Sequence, residues 1–368
     1  MRNFLSVPPW PALVATAIAL LIALVLVVTQ RWHGSLSLDS MKGVQKVHTQ
    51  PTPRIGGVAV MAGLLSGYLL AQPRLQHLLA PMLVASTPAF VFGLMEDLTK
   101  NISVQARLLA TMCSGVLGWF FTGLSITDAN LYGLDWLLSF TFVSVAFTAF
   151  AVSGIANAIN IIDGFNGLAV GTVTIILVSF SLLAAGLGDS DLVHLSMILA
   201  GGVLGFGLVN WPLGKIFLGD GGAYFIGFSL AWLAVLLLAR HTEVSAWAPM
   251  LVCGYPILEV FFSISRRRRH GVHMGDADCL HLHSLVKRRV VRALLPNATP
   301  LMSNSVTGAI MWMAAVLPAT IAVHWPTHTP TLVLGFVVCA LLYWAVYARI
   351  IQFHWFFSPH RLESRQSA

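Results

Sequence analysis

Long apolar segments separated by short polar ones limit most strongly what this chain can fold into. Of its 368 residues, 57% are hydrophobic and 10% are charged, whereas a soluble domain carries about 25% charged residues. Segments of the length needed to cross a bilayer lie near 11–30, 55–72, 78–96, 104–123, 135–153, 166–186, 192–210, 221–239, 246–264, 305–323 and 331–352. The sequence therefore predicts an all-α, polytopic membrane bundle of about eleven transmembrane helices, with 1–368 as one domain.

The basic residues are divided unevenly between the loops on the two sides of such a bundle. Eighteen lie in one set of loops, and only Arg2, Arg74 and Arg240 lie in the other. Because cytoplasmic loops carry an excess of Lys and Arg, we expect a periplasmic N-terminus, an uncleaved first span and a cytoplasmic C-terminus. The net charge of +7 is too dispersed to indicate nucleic-acid binding, and the four cysteines contain no CxxC pair that would indicate zinc.

Polar clusters interrupt the apolar segments, and the predicted topology places all of them on the cytoplasmic side. The strongest is 157–167 (NAINIIDGFNG), where polar residues recur every third position: Asn157, Asn160, Asp163 and Asn166. In a helix this spacing brings successive side chains near one another, and the two glycines should end that helix. Because polar groups beside lipid are costly to desolvate, the cluster predicts a site for an anionic ligand and a metal ion.

Two acidic clusters lie at other segment ends. Glu96 and Asp97 are adjacent where the third segment ends, and paired carboxylates at a membrane boundary can hold Mg²⁺ or a proton. Asp220 lies in 217–224 (FLGDGGAY), a glycine-rich turn before a segment, which suits a metal that bridges to phosphate. Phe217 offers a ring on which a base can stack.

Basic and histidine residues form the remaining clusters. His48 and Arg54 lie in a proline-stiffened loop and could contact phosphate oxygens. His281 and His283 lie in the longest non-apolar stretch, 265–304, where we expect a loop or an extended piece. Asp278 could pair with His281 and fix its tautomer.

The stretch after these histidines, 284–295, alternates apolar and basic residues at near-helical spacing. Such a segment can lie on the inner membrane surface with its basic face toward anionic head groups.

Together and in this order, these clusters resemble the polyprenyl-phosphate N-acetylhexosamine-1-phosphate transferase family, which also contains the phospho-N-acetylmuramoyl-pentapeptide translocase. The resemblance runs from His48 to His283 and is most specific at 157–167 and 217–221. It implies transfer of a sugar 1-phosphate from a UDP-N-acetylhexosamine to undecaprenyl phosphate, with release of UMP. The implied setting is the cytoplasmic face of a bacterial inner membrane, in O-antigen or other surface-polysaccharide synthesis.

The resemblance also implies a role for each cluster. Asp97, Glu96 and Asp220 are the implied catalytic residues, with Asp220 and Asp97 as ligands of Mg²⁺ or Mn²⁺. The implied substrate-binding residues are His48, Arg54, Asn157, Asn160, Asp163, Asn166, Phe217, His281 and His283. The implied partners are the UDP-sugar, undecaprenyl phosphate, membrane lipids and a second copy in a homodimer, and no nucleic acid.

Three departures from the family pattern bear on these roles. Glu96 replaces the first of two paired aspartates, Ser284 follows His283 where a third histidine is often found, and the histidine-rich loop of the pentapeptide branch is missing. Phospho-MurNAc-pentapeptide transfer is therefore an alternative function.

Two other membrane classes also fit an apolar chain with internal polar residues. A cation-coupled transporter predicts polar residues at mid-span and an internal repeat. A prenyl transferase predicts Asp-x-x-x-Asp spacing on two helices. The sequence shows neither pattern.

Overall fold

A computed structural model describes residues 9–38, 51–271 and 280–352, and these ranges fold into a bundle of α-helices with no β-strand among them. The helices are α1 (Trp10–Val28), α2 (Gln30–Ser37), α3 (Gly56–Leu70), α4 (Pro73–Ala85), α5 (Thr87–Thr99), α6 (Val104–Thr122), α7 (Leu134–Leu138), α8 (Thr141–Ile162), α9 (Leu168–Gly186), α10 (Ser190–Asn210), α11 (Gly219–Arg240), α12 (Trp247–Val252), α13 (Gly254–His270), α14 (Leu282–Leu285), a π-helix (Val286–Val291), α15 (Arg292–Leu294), α16 (Pro300–His324) and α17 (Thr329–Ile351). The all-helical membrane fold predicted from the sequence is confirmed.

The predicted number of eleven spans is not confirmed. Within the described ranges, eight helices are long and apolar enough to cross a membrane, or nine if α4 and α5 form one span bent by 46°. Pro88 lies in the first turn of α5 and has no N–H to continue the hydrogen bonds of α4 across this bend. The predicted spans at 55–72 and 246–264 are a helix of only 15 residues, α3, and a pair of helices interrupted at Cys253.

The predicted boundaries of the fifth span, 135–153, were wrong. α8 runs from Thr141 to Ile162 and therefore contains the first two asparagines of the polar cluster. The Asn157 amide donates to the Ser153 carbonyl 2.8 Å away, one turn earlier, so this side chain does not interrupt the helix. The predicted break at the glycines is confirmed, because Gly167 adopts φ +77°, a conformation that glycine reaches without steric cost.

α11 is the central helix of the bundle and is buried along nearly its whole length. It packs against α3, α5, α6 and α8. Where it crosses α8, a Cβ atom on Gly227 would lie 2.4 Å from the Ala156 Cα, so a glycine is needed there. Small residues permit this close approach between membrane helices. We call the end of the bundle where α11 begins the site end, and the end where α11 finishes the far end.

The far end is fastened by a cluster of ion pairs between α10 and α11. Arg240 donates to both carboxylate oxygens of Asp189, at 2.6 and 3.0 Å, and to Asp191 at 3.2 Å. Burial raises the pKa of Asp189, but the hydrogen bonds from Arg240, Leu192 N–H and His241 outweigh this effect and leave it below its usual value. The stabilisation from this carboxylate is therefore complete above about pH 4 and is lost as the pH falls through the lowered pKa.

Arg240→Gln should lower the free energy of unfolding by about 3 kcal/mol, because Asp189 then stays buried without its guanidinium partner. Arg74→Gln is the matched control, since Arg74 pairs with Asp191 from a side chain that is 77% exposed, and its loss should cost at most about 1 kcal/mol. Chemical denaturation in detergent at pH 7 measures both values. Equal losses in the two variants would contradict the assigned role of Arg240.

Candidate active site

Asp220, in the first turn of α11, is the centre of a polar cluster at the site end. Its Oδ1 accepts hydrogen bonds from Arg54 Nη2 at 3.1 Å and from Asn160 Nδ2 at 3.0 Å, and its Oδ2 pairs with Arg107. The Nε of Arg107 is buried and has no hydrogen-bond partner within the described ranges. Two cations and an amide thus surround one buried carboxylate, at a helix N-terminus that also favours negative charge.

Asp97, in the last turn of α5, fixes the position of that carboxylate. Its side chain is 1% exposed, and its two oxygens accept hydrogen bonds from the backbone N–H groups of Asp220 and Gly221, both at 2.9 Å. The first N–H groups of a helix have no partner within it, so a carboxylate from another helix satisfies two of them here. Asp97 therefore positions the start of α11.

Glycines allow the neighbouring backbones to approach this turn. A Cβ atom on Gly93 would lie 2.6 Å from the Gly221 nitrogen, and one on Gly57 would lie 2.3 Å from the Gly222 nitrogen. Both distances are far shorter than a real Cβ contact, so α5 and the start of α3 can touch α11 only where they carry glycine.

The loop before α3 is held against the turn that leads into α11. Gly56 and Gly57 donate their N–H groups to the carbonyls of Phe217 and Leu218, at 2.9 and 2.8 Å, and Phe217 donates to the Pro53 carbonyl at 2.8 Å. These bonds place the intervening Arg54 beside Asp220. The Phe217 side chain is half-buried, and its role in stacking on a base stays a prediction.

The asparagine-aspartate segment contributes Asn160 and Asp163 to the cluster. Asp163, just past the end of α8, interacts electrostatically with Arg54, Asp220 and Asp97. Burial is the main cause that raises the pKa of Asp163 well above its usual value; Arg54 opposes this rise, and the two neighbouring carboxylates add to it. The cluster thus combines three carboxylates with two guanidinium groups.

Other sequence-predicted residues make their described hydrogen bonds and packing contacts away from Asp220, although Glu96 interacts electrostatically with Arg107. The side-chain hydrogen bond of Asn157 goes to its own helix, and Asn166 is buried against Gly214. Glu96 accepts a hydrogen bond from the Ile102 N–H at 2.8 Å and so closes the turn between α5 and α6. The substrate-binding role of the two asparagines and the catalytic role of Glu96 stay predictions. His48 and Asp278 lie outside the described residues.

The histidine motif is anchored by a buried acid that the sequence analysis missed. Nδ1 of His281 lies 2.9 Å from Oε1 of Glu259 in α13, and the Leu282 N–H donates to the same oxygen at 3.1 Å. The expected loop or extended piece was wrong in part, because α14 begins at Leu282 and contains His283.

His283 and Lys287 join the histidine motif to the end of α8. The His283 ring packs edge-on against the Phe165 ring at 5.4 Å and faces Gly164. Nζ of Lys287, in the π-helix, lies 5.1 Å from the centre of the same Phe165 ring. Burial and the nearby charge of Arg292 lower the pKa of Lys287 to about 8. π-helical turns are frequent at functional sites, and this one places a half-buried cation beside the segment that follows α8.

Three residues of the site were not recognised from the sequence. Arg107 was counted only as a topology charge, and Glu259 was not considered. The available signal was a single ionisable residue inside an otherwise apolar segment, which is costly and commonly functional in membrane helices. Lys287 gave no separate signal, because it is one of several basic residues in 284–295.

The donor chemistry of the cluster fits a divalent cation. Mg²⁺ takes oxygen ligands and is commonly held by one or two carboxylates together with substrate phosphates, and Asp220 and Asp97 supply two carboxylates. In the part of the chain that the structure describes, no three His, Cys, Asp or Glu residues form a metal-holding group. The ion would therefore need ligand oxygens, and it would replace at least one guanidinium at Asp220.

Comparison with known proteins identifies the class. Residues 79–238 match the family described as glycosyl transferase family 4. A decaprenyl-phosphate N-acetylglucosaminephosphotransferase of Mycobacterium leprae is 31% identical over 64% of this chain and 67% of its own length. The chain belongs to glycosyl transferase family 4, as its motifs predicted.

Two further relatives come from different branches of the family. A probable undecaprenyl-phosphate N-acetylglucosaminyl 1-phosphate transferase of Bacillus subtilis is 29% identical over 65% of this chain and 66% of its own. A phospho-N-acetylmuramoyl-pentapeptide-transferase of Moorella thermoacetica is 28% identical over 63% of this chain and 75% of its own. The chain thus spans about two thirds to three quarters of the length of these relatives.

Gly93→Ala should lower the free energy of unfolding by about 1–3 kcal/mol, because the added methyl group overpacks the contact between α5 and the first turn of α11. Gly154→Ala in α8 is the matched control, since a Cβ atom there meets nothing within 4 Å and alanine favours a helix by about 1 kcal/mol. Thermal unfolding in detergent compares the two. A tolerated Gly93→Ala would show that this contact is looser than described.

Proposed function

We propose that this protein transfers an N-acetylhexosamine 1-phosphate from a UDP-N-acetylhexosamine to undecaprenyl phosphate and releases UMP. The observation that carries the proposal is the buried Asp220 carboxylate held by Arg54, Arg107 and Asn160 at one end of a membrane bundle. Family membership and the names of the relatives support the coarser statement, transfer of a sugar 1-phosphate to a polyprenyl phosphate.

The proposed reaction exchanges one phosphoanhydride for another. An oxygen of the acceptor phosphate bonds to the sugar-proximal phosphorus, and the bond from that phosphorus to the departing UMP oxygen breaks. The acceptor phosphate is anionic near neutral pH, so its attack needs no strong base. Such transfers depend chiefly on positioning and on neutralising charge.

The described side chains suit those two tasks. Arg54 and Arg107 can exchange Asp220 for phosphate oxygens, since each is a guanidinium that binds either anion in the same manner. Both oxygens of Asp97 are bonded to backbone N–H groups, which supports a positioning role for Asp97 over that of a base. Mg²⁺ or Mn²⁺, held by Asp220 and Asp97, would supply further positive charge at the diphosphate.

An apolar groove supports a lipid acceptor. It lies between α6 and α8, has a volume of about 680 Å³, and is lined by apolar side chains such as Leu109, Val116 and Phe142. It begins two residues along α6 from Arg107, about 3 Å along the helix axis but on a different face of the helix, so a prenyl chain in the groove would start at the level of the cluster.

The finer setting is also part of the proposal. The excess of basic residues at the site end supports a cytoplasmic active site in a bacterial inner membrane. Initiation of O-antigen or another surface polysaccharide fits the proposed lipid-linked product. A homodimer stays a prediction.

The test is UMP release by the purified protein in detergent with UDP-GlcNAc, undecaprenyl phosphate and Mg²⁺. Release should require all three components. A panel that adds UDP-GalNAc and UDP-MurNAc-pentapeptide identifies the donor, and turnover of the last alone would move the protein to the pentapeptide branch. Release that does not depend on the lipid phosphate, or no transfer from any UDP-sugar, would overturn the proposal.

Asp220→Asn should reduce turnover by at least about 100-fold, because the neutral amide no longer supplies the anionic ligand at the centre of the site. Mg²⁺ should raise the melting temperature of the wild type and not of this variant, which gives a readout apart from activity. Asp97→Asn is the comparison. It should also cut turnover by orders of magnitude, but with a lower melting temperature, because an amide cannot accept both N–H bonds. Near-normal turnover of Asp220→Asn would remove the assignment.

We predict that kcat/KM for the UDP-sugar falls at alkaline pH because Lys287 loses its charge. Its charge is present below its pKa of about 8 and is lost as the pH rises through that value, and an anionic donor would bind the charged form. Lys287→Arg should carry activity to higher pH, and Lys287→Met should show reduced kcat/KM already at pH 7. Identical pH profiles in all three proteins would exclude Lys287 from donor binding.

A further inference from the structure

Glu259 in α13 is a completely buried carboxylate, with 0% of its surface exposed. Both of its hydrogen bonds of normal geometry go to Oε1, none of normal geometry from the described residues reaches Oε2, and the buried Tyr343 hydroxyl adds a weaker one to the carboxylate. Burying a carboxylate is costly unless it is paired, and an incompletely satisfied buried group calls for an explanation. An apolar side chain at this position would stabilise the fold more than the buried carboxylate does.

The side chain that pairs with Glu259 comes from the histidine motif. In the described part of the chain, the only ion-pair partner of this carboxylate is Nδ1 of His281 at 2.9 Å. The His283 ring stacks on that of His281, with centres 5.2 Å apart and planes 10° from parallel. The buried hydroxyl of Tyr343 in α17 interacts electrostatically with the same carboxylate. Because an ionised carboxylate only accepts hydrogen bonds, the contact between Glu259 and His281 requires a proton on Nδ1 of His281.

We propose that Glu259 is a positioning residue that holds His281 with a proton on Nδ1 and directs Nε2 toward an anionic group of the substrate. In the protonated ring, Nε2 then donates a hydrogen bond to a phosphate oxygen of the nucleotide diphosphate. The inference rests on the proposed function, in which His281 contacts the donor. It adds a residue that does not touch the substrate and acts through one that does.

Oε1 of Glu259 fixes both the orientation of the His281 ring and the position of the backbone that follows it. Because Oε1 also accepts the Leu282 N–H at 3.1 Å, it fixes the start of α14 together with the orientation of the His281 ring. Two residues further on, in the first turn of α14, His283 packs against Phe165, just past the end of α8. Glu259 thus couples α13 to the asparagine-aspartate segment through the histidines.

The kinetic test is a double-mutant cycle on the purified protein. Glu259→Gln should lower kcat/KM for the UDP-sugar by about 10–100-fold, the range found for carboxylates behind metal-bound histidines, while KM for the lipid phosphate stays unchanged. Glu259→Asp should recover part of the loss because it retains the charge. The double variant Glu259→Gln/His281→Ala should be no slower than His281→Ala, within about twofold. Losses that multiply would show that Glu259 does not act through His281.

A structural control separates positioning from general stability. Asp189→Asn removes a buried carboxylate with a cationic partner at the far end, away from the proposed site, and should lower the melting temperature without changing KM for the UDP-sugar. If Glu259→Gln changes only the melting temperature, as this control does, the proposal is wrong.

A spectroscopic test does not depend on the reaction. In ¹⁵N-histidine NMR spectra, the signals missing from His281→Ala identify His281, and in the wild type they should show a protonated Nδ1. A neutral His281 with its proton on Nε2 and a bare Nδ1 would overturn the proposal. If no UDP-sugar is turned over, the proposed function fails, and this measurement still decides the pairing of Glu259 with His281.

Discussion

The two hydrogen bonds that Asp97 accepts from the first turn of α11 are the interaction on which the site depends. They join the end of α5 to the start of the central helix and satisfy N–H groups that the helix cannot satisfy itself. Because one of these N–H groups belongs to Asp220 itself, the bonds also set where the charged centre lies. Gly93 and Gly57 contribute by allowing the backbones to touch. The geometry of this transferase therefore begins with backbone contacts, and the charged side chains are added to them.

The central helix has a buried carboxylate cluster at each end. The two clusters differ in whether their hydrogen-bonding groups can bind a ligand. At the far end, Arg240 binds both oxygens of Asp189 and also reaches Asp191, which gives a network of purely structural character. At the site end, Asp220 is shared between guanidinium groups from separate elements, and Arg107 retains a buried Nε without a partner in the described ranges. The second arrangement can exchange partners with a ligand.

The sequence predicted the convergence of Arg54, Asp97, Asn160 and Asp220 because each lies at an apolar segment end on the same predicted side. It could not predict which asparagines would point away from Asp220. A three-residue spacing falls about 60° short of a helical turn, so successive side chains rotate around the helix. Arg107 and Glu259 were missed because their roles depend on partners from distant helices. The number of spans was uncertain for a related reason, as bends and interruptions come from local backbone breaks that hydropathy alone does not resolve.

The bend between α4 and α5 makes the geometry of the site depend on a region outside the cluster around Asp220. α5 leaves α4 at 46°, and this change of direction carries Asp97 beneath the first turn of α11. Substitutions at Ser86 or Pro88 would therefore shift the first turn of α11 by changing the tilt of α5. Every side chain around Asp220 would be retained. Differences in turnover among relatives with the same site residues would then come from the bend between α4 and α5.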